Sequence, residues 1–404
     1  MTLTLAVTAG PHKGKEFPFD QHDTLLVGRS KDAHLQLSYD DPYFSRRHFL
    51  IEVNPPRCRI TDLKSRNGIY VNGQRMEIAD LKDGDEVKAG HTVFKVNIPP
   101  PDPDHQVTFA SEMVEPSPNL NSTIDRHADG PTIPGYTLGA ELGRGGMGVV
   151  YRATRTADGL PVALKTILTA EGVGQRRIDK FVREAKLMAS LTHANIAGCL
   201  DSGTAGQLVY LVMEMVEGTD ASHLLKARGP LAVPAAVRIT CQMLSGLAHA
   251  HAAGIVHRDV KPSNLLIGGA TGKRVVKVAD FGLARTYDDC KLSGLTFQGE
   301  VGGTPAFMAP EQVTHFRDVK PVADQYSAAA TLYNLLTGRY PLDLPKDLNK
   351  QLVCIITESA VPIRDRRKNI PAKLAEVIHK ALESEPVDRF TDVTAFRKAL
   401  LPFA

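Results

Sequence analysis

The chain has 404 residues, enough for two or three domains, and 43% of them are hydrophobic, so large cores can be buried. Its 48 Lys and Arg against 45 Asp and Glu leave a net charge of +3, which gives no reason to expect nucleic acid or an anionic membrane as a partner. Five scattered cysteines without a CxxC pair argue against a disulfide framework or a zinc site and fit a reducing cytoplasm. Met1–Val7 lacks a basic region and reads as a strand rather than a signal peptide. The longest apolar run, Ala328 to Leu336, falls well short of the ~20 residues a membrane helix needs.

Residues 1–98 alternate apolar and polar side chains in short runs. Leu3/Leu5/Val7, Thr24–Val27, His34–Leu37, Phe49–Val53, Arg59–Ile60, Ile69–Val71 and Val93–Val96 predict strands. Asn67-Gly68, Asn72-Gly73 and Asp83-Gly84 predict hairpin-type turns between them. Short strands at this spacing suggest an all-β sandwich. Its loops carry Gly28-Arg29-Ser30, Ser45-Arg46-Arg47-His48 and Ser65-Arg66-Asn67-Gly68. Arginine forks match phosphate oxygens and serine hydroxyls add neutral donors.

These three motifs, in this order, resemble a forkhead-associated (FHA) domain, a module that reads phosphothreonine. The resemblance implies that Arg29 and Ser45 hold the phosphate, that Arg46 and Arg66 flank it, and that Asn67 hydrogen-bonds the peptide backbone. It implies a bracing role for His48, away from the ligand.

Residues 99–134 open with Pro99-Pro100-Pro101-Asp102-Pro103-Asp104 and stay rich in Pro, Asp, Ser and Asn. Such a composition cannot bury a core and predicts a flexible linker.

Residues 135–404 predict a catalytic domain. Leu142–Tyr151 is a glycine-rich turn between two β-like runs, where bare backbone N–H groups can approach phosphates. The run continues as a strand through Val149-Val150-Tyr151, so a hairpin lid is expected rather than the helix of a dinucleotide fold. Lys165 lies in the apolar strand Val162–Lys165 and needs a partner. Glu184, in the helical stripe Ile178 to Leu191, is the candidate. His257–Asn264 then sets a carboxylate, a lysine and an amide in one short turn between apolar runs, and Asp280-Phe281-Gly282 follows another apolar strand. Hard oxygen donors on neighbouring turns suit magnesium, and a third carboxylate can take a hydroxyl proton.

The ordered set GxGxxG, VALK, helix Glu, HRDxKxxN, DFG and Ala309-Pro310-Glu311 resembles the eukaryotic-like protein kinases, in the form found in bacterial Ser/Thr kinases, over 136 to about 401. The implied architecture is an all-β FHA sandwich followed by an α+β bilobal kinase fold. The resemblance implies that Gly143, Gly145, Gly148 and Val150 cover ATP, that Lys165, held by Glu184, binds its phosphates, and that the backbone of Glu214 and Val216 meets adenine. Asp220 is implied at the ribose, and Asn264 and Asp280 at Mg²⁺. Asp259 would accept the proton of a substrate hydroxyl, and Lys261 would steady the γ-phosphate. Lys261 and Thr304 favour Ser/Thr acceptors. Arg258 wants an anion, which phosphorylation at Thr296, Thr286 or Ser293 would supply. Expected partners are protein substrates and phosphothreonine peptides, including self-association through the chain's own phosphorylated segments. His249 and His251 are expected to pack or lie at the surface rather than bind metal.

Overall fold

The computed structural model describes residues 2–19, 23–30, 33–37, 41, 43–55, 57–99, 131–145, 148–168, 178–179, 182–183, 185, 188–206, 208–269, 274–281, 305–314 and 319–404. They form two compact units. The first is built on β1 (Leu3–Ala9), β2 (Glu16–Phe19), β3 (Asp23–Gly28), β4 (Leu35–Gln36), β5 (Phe49–Asn54), β6 (Arg57–Asp62), β7 (Ile69–Val71), β8 (Gln74–Met76), β9 (Ile78–Leu81), β10 (Glu86–Ala89) and β11 (Thr92–Asn97). One sheet runs β2-β1-β11-β10-β7-β8 and the other β4-β3-β5-β6-β9. Alternation explains the sandwich: Leu3, Leu5 and Val7 of β1 are buried while Thr4 and Ala6 between them are not fully so. Across the middle, Phe49 of one sheet meets Phe94 of the other edge-to-face at 5.9 Å. Each such buried ring contributes about 1.5–3 kcal/mol.

Of the three turns expected as hairpins, Asn72-Gly73 closes one, with Val71 facing Gln74 and positive φ of 50° and 81°. The other two do not. Asn67-Gly68 leads from β6 to β7 and Asp83-Gly84 from β9 to β10, and each pair of strands belongs to different sheets. A positive φ at the glycine turns the chain sharply, but the sheet that receives the next strand is decided by which face its apolar residues must cover.

The second unit opens with the antiparallel sheet β12-β13-β14-β16-β15, made of β12 (Tyr136–Gly145), β13 (Gly148–Arg155), β14 (Pro161–Leu168), β15 (Cys199–Ala205) and β16 (Leu208–Glu214). A smaller sheet follows, with β18 (Leu265–Gly268) between β17 (Gly218–Asp220) and β19 (Val275–Val278). The helices are α1 (Ala221–Arg228), α2 (Val233–Ala252), α3 (Pro310–Thr314), α4 (Val322–Thr337), α5 (Leu348–Thr357), α6 (Ile363–Arg366), α7 (Ala372–Ala381) and α8 (Val393–Leu400); α3 and α5 group with the first unit. Among the described residues, no helix is long and apolar enough to cross a membrane.

Helix α4 is the centre of the helical part. Every residue from Ala323 to Leu336 is buried, and most of them are apolar. Asp324, fully buried in its first turn, is the one carboxylate among them. Its Oδ1 accepts the backbone N–H of Arg258 at 2.8 Å. Its Oδ2 accepts the backbone N–H of His257 at 2.8 Å and Nε2–H of His251 at 2.7 Å. Burial pushes this carboxyl up, but the His251 hydrogen bond, the two nearby imidazoles and the backbone donor outweigh it and hold it below the usual 3.8.

Asp324→Asn is therefore expected to lower unfolding stability by about 3 kcal/mol in urea titrations, because one acceptor oxygen becomes a donor facing donors. The folded-state pKa is depressed, so the contribution is present above pH 3.8 and lost as pH falls through the lower folded value. The gap between wild type and variant should narrow in acid.

Candidate functional site

The loop from His257 to Asn264 is fixed from both sides. Asp324 holds its start, as above. His257 is fully buried, and its Nδ1 accepts the N–H of Asp259 at 3.2 Å, so Nε2 carries the proton that goes to Ala279 O at 2.9 Å. That bond ties this loop to the one ending in Asp280. The tie is repeated where Ala279 N–H meets Asn264 O at 2.9 Å, and Leu265 pairs with Val278 in the sheet. Arg258 and Asp280 both take positive φ, 69° and 61°, a conformation costly for side chains other than glycine and tolerated where surroundings over-determine it.

On this mount the polar groups converge. Lys261 Nζ lies 2.8 Å from Asp259 Oδ2. Asn264 Nδ2 donates to Asp259 O at 2.7 Å and to Asp259 Oδ2 at 3.1 Å, which leaves the amide oxygen as the end of Asn264 that can meet a cation. Lys165 on β14 is buried and donates to Asp280 Oδ2 at 3.0 Å. The other oxygen, Asp280 Oδ1, is buried and has no hydrogen-bond partner. Burial pushes the Asp280 carboxyl up, but the Lys165 charge and hydrogen bond outweigh it and keep it ionised below the usual range. An ionised, unpartnered oxygen and an amide oxygen on neighbouring, hydrogen-bonded turns are a fitting start for a hard divalent cation, which would fill its remaining positions with water and phosphate.

Val150 on β13 faces Lys165 across the ladder, and Lys165 faces Leu211 on β16. The glycine turn above is shaped by close approach: a Cβ at Gly148, with φ of 136°, would lie 1.9 Å from Thr166 O. At Gly143 nothing stands within 4 Å of that position, which leaves its outer face open. At the far end of the strand Glu214 Oε2 meets Lys277 Nζ at 3.0 Å and Gly198 N–H at 3.3 Å.

Several expected residues fall elsewhere. Glu184, Thr286, Ser293 and Thr296 lie outside the described residues, and the described partner of Lys165 is Asp280. Asp220 caps α1: its Oδ1 accepts from Ser222 N–H at 2.8 Å and His223 N–H at 2.9 Å, and Oδ2 bonds His223 Nδ1. Both oxygens are engaged within the helix start. His251, expected only to pack or lie at the surface, proves to be the side-chain partner of Asp324, and His249 stacks on His193 at 5.1 Å. A histidine six residues before the loop, on a helix face otherwise apolar, was the one available signal.

In the first unit the arginine- and serine-bearing loops meet. Arg29 N–H and Ser30 N–H donate to Ser45 O and Arg46 O at 3.1 and 2.9 Å. Only glycine allows this at position 28, where a Cβ would lie 2.0 Å from Arg46 O. Ser45 Oγ accepts Arg66 N–H at 3.1 Å, and Asn67 Nδ2 donates to Tyr43 O at 2.7 Å. Arg46 and Arg66 are exposed to solvent. The Arg29 Nε is buried with no partner. His48, fully buried, braces the loops: its Nδ1 accepts Ser45 N–H at 3.0 Å, so Nε2 donates to Gly68 O at 3.2 Å. A cluster of arginines with an unsatisfied buried donor is built for an anion.

Comparison with known proteins bears on both regions. The protein kinase domain model matches residues 136–401, and the FHA domain model matches residues 25–90. The chain is 36% identical over 266 residues to Serine/threonine-protein kinase Pkn1 of Myxococcus xanthus, covering 66% of this chain and 38% of that protein. It is 34% identical over 262 residues to PknL of Mycobacterium tuberculosis, covering 64% of this chain and 63% of the relative. The chain thus spans less than two thirds of either relative's length. Among solved structures it resembles the Mycobacterium tuberculosis PknI kinase domain, with TM-score 0.53 and 28% identity over 69% of this chain and 99% of that one. It also shares its fold with Rad53 1-466 in complex with AMP-PNP, with TM-score 0.55 and 23% identity over 99% of each chain.

The His48 bridge makes a pH prediction. Burial lowers its pKa below 6.5, more than the Gly68 carbonyl raises it, and Nδ1 must stay unprotonated to accept. The unfolded chain binds the proton more readily, so stability should fall as pH drops below 6.5 toward the lower folded value. Protection factors in β3 and β5 of the full chain, taken relative to the intrinsic exchange rate at each pH, should fall as pH drops through that window. In His48→Gln, exchange should be faster at neutral pH by about 1–3 kcal/mol of opening energy, and its slope over this window should flatten.

Proposed function

The chain belongs to the protein kinase family, and on that footing we propose that it transfers the γ-phosphoryl group of ATP to serine and threonine hydroxyls of proteins, its own included. The FHA domain then binds phosphothreonine segments, of partners or of the chain itself, with Thr296, Thr286 and Ser293 as candidate regulatory positions. The observation that carries the first part is the Asp259–Lys261–Asn264 cluster, tied by a backbone hydrogen bond to the turn of Asp280, whose carboxylate pairs with Lys165 through one oxygen and leaves the other buried and unpartnered. The second rests on the buried, unpartnered Arg29 Nε among Ser45, Arg46, Arg66 and Asn67. A cytoplasmic setting suits both ATP and protein acceptors.

Asp259 is assigned the role of base. It takes the proton as the acceptor oxygen bonds to the γ-phosphorus, while the bond from that phosphorus to the β–γ bridging oxygen breaks and ADP leaves. Lys261, 2.8 Å from Asp259, supplies positive charge beside the transferring group. Lys165 holds phosphate oxygens and Gly143, Gly145, Gly148 and Val150 close over them, with Glu184 as the helix partner of Lys165. Glu214 and Val216 are assigned to adenine through their backbone. Asp220, which caps α1, is assigned to the ribose through the remaining acceptor site of its carboxylate. Asp280 and Asn264 would hold Mg²⁺, which neutralises phosphate charge when bound. The protein's share of catalysis is positioning and electrostatics, consistent with turnover of about 1–100 s⁻¹ when activated.

Incubation with ATP and Mg²⁺, followed by phosphosite mapping, should find phosphate on wild type and not on Asp259→Asn. Transfer to a serine or threonine acceptor should drop at least ~100-fold in Asp259→Asn and in Lys165→Met. Chelation by EDTA should stop it in wild type. Wild type without phosphate, when folded and supplied with acceptors, would rule the reading out. Arg29→Ala should weaken phosphothreonine-peptide binding about 10–100-fold in fluorescence anisotropy, the value of a lost charge-assisted bond.

A further inference from the structure

We propose that Arg47 and Lys64, two cations that the phosphothreonine motif leaves over, hold the C-terminal end of α5, and that this hold is coupled to the reader. A bound phosphothreonine segment tightens the hold on α5, and breaking the hold weakens the reader. The inference rests on the phosphothreonine reading above and extends it to regulation of a helix by the same loops.

Helix α5 ends with a surplus of negative charge. A helix C-terminus presents carbonyls without intrahelical partners and the negative end of the macrodipole, which a basic side chain in the last turn ordinarily answers. α5 has no basic residue there, and its C-cap is an acid, Glu358. The cations come from the loops of the same unit. Arg47 Nη1 donates to Ile356 O, a last-turn carbonyl, at 2.9 Å. Lys64 Nζ lies 2.6 Å from Glu358 Oε1, and the Cys354 thiol donates to Glu358 Oε2 at 3.2 Å. The Lys64 and Cys354 hydrogen bonds hold the Glu358 carboxyl below its usual range. Lys64 and Glu358 are both exposed, and such a pair contributes little by itself. Arg47 is half-buried, and its charge-assisted bond is the firmer of the two.

Both cations adjoin residues assigned to the phosphate. Arg47 follows Ser45 and Arg46, and Lys64 precedes Ser65 and Arg66. Lys64 takes a φ of 55°, a left-handed conformation that is strained for a lysine and needs its surroundings to hold it. Leu63 N–H donates to His48 O at 2.9 Å, Ser65 N–H to Asp62 Oδ2 at 3.2 Å, and Arg66 N–H to Ser45 Oγ at 3.1 Å. The backbone that aims Lys64 at Glu358 is therefore the backbone that sets Ser45 and Arg66. Two partners that need one loop conformation share the cost of ordering it, so each favours the other.

The hold leads onward through packing. α5 packs on α3, and α3 packs on β3, the strand that ends at Gly28. Ala309, the residue before α3, is fully buried in the core of the second unit. Helix α3 is thus joined covalently to the segment that carries Phe307.

The test is amide hydrogen exchange at α5 and Glu358 in the dephosphorylated full chain without ATP. The probe is a pool of fluorescent phosphothreonine peptides with random flanks, whose binding is read by anisotropy. The pool should raise α5 protection about fivefold in wild type and leave it unchanged in Arg29→Ala. Arg47→Ala should lower α5 protection without the pool and weaken pool binding about fivefold, the reciprocal effect. Glu358→Lys separates coupling from plain charge. An added lysine attracts phosphate, whereas loss of the hold should weaken pool binding. Lys64→Glu combined with Glu358→Lys should restore α5 protection. Tighter pool binding in Glu358→Lys, or α5 protection that ignores an Arg29-dependent ligand, would overturn the coupling alone. Protection unchanged in Arg47→Ala, or lost in Glu358→Lys and not restored by the charge swap, would overturn the hold itself. Absence of any Arg29-dependent binding would remove the phosphothreonine reading and the coupling with it.

Discussion

A single buried carboxylate sets the geometry of the kinase site. Asp324 accepts two successive backbone N–H groups, from His257 and Arg258, at 2.8 Å each. Arg258, the second of these donors, adopts a positive φ. That conformation strains an arginine, and the carboxylate's hydrogen bonds offset the strain. With the turn fixed, His257 is placed to bond Ala279 O, and through it the turn before Asp280 is fixed as well. Asp259, Asn264 and Asp280 keep their mutual positions because one buried helix presents one charge to the loop.

The first unit reaches the same end by similar means. His48, with no exposed surface, bridges Ser45 N–H and Gly68 O. Asp62 fixes Ser65 through its hydroxyl at 2.6 Å, and Ser65 Oγ in turn accepts Gly68 N–H at 2.9 Å. Asp41 does this for a third pair of loops, accepting Tyr43 N–H at 3.1 Å and His91 N–H at 2.8 Å. In both units most residues assigned chemistry sit on loops, and a polar residue behind each loop bonds its backbone. Buried polar groups are costly when unpaired, so such a brace is all-or-none: a wrong loop conformation strands it, and the right one is selected sharply.

The sequence made the loop residues legible because each lies in a short local pattern between apolar runs, and the strands with clear alternation were legible for the same reason. β2, β8, β9 and β10 were not predicted. Gln74–Met76 and Glu86–Ala89 offer few apolar residues, and strands this short carry too little periodicity to read. The braces were harder still. Asp324 meets His251 across 73 positions and Asp41 meets Thr92 across 51. Nothing in an isolated aspartate announces that it is buried; the fold alone brings its donors to it. The turns at Asn67-Gly68 and Asp83-Gly84 failed as hairpins for a related reason, since a turn dipeptide encodes a local φ and carries no information about which sheet receives the next strand.

The two sites handle the same group with opposite electrostatics. In the kinase site the unsatisfied buried atom is a carboxylate oxygen, Asp280 Oδ1. Phosphate oxygens are repelled by that atom, so Asp280 with Asn264 would hold a cation between them, which would neutralise phosphate charge. In the FHA loops the unsatisfied buried atom is a guanidinium nitrogen, Arg29 Nε. On the proposed function it would meet phosphate directly, with the Ser45 hydroxyl on the adjoining loop. On the proposed function, charge sign at one buried atom thus separates a place for transferring phosphate from a place for keeping it. A chain that carries both needs no further chemistry to write a mark and then to hold it.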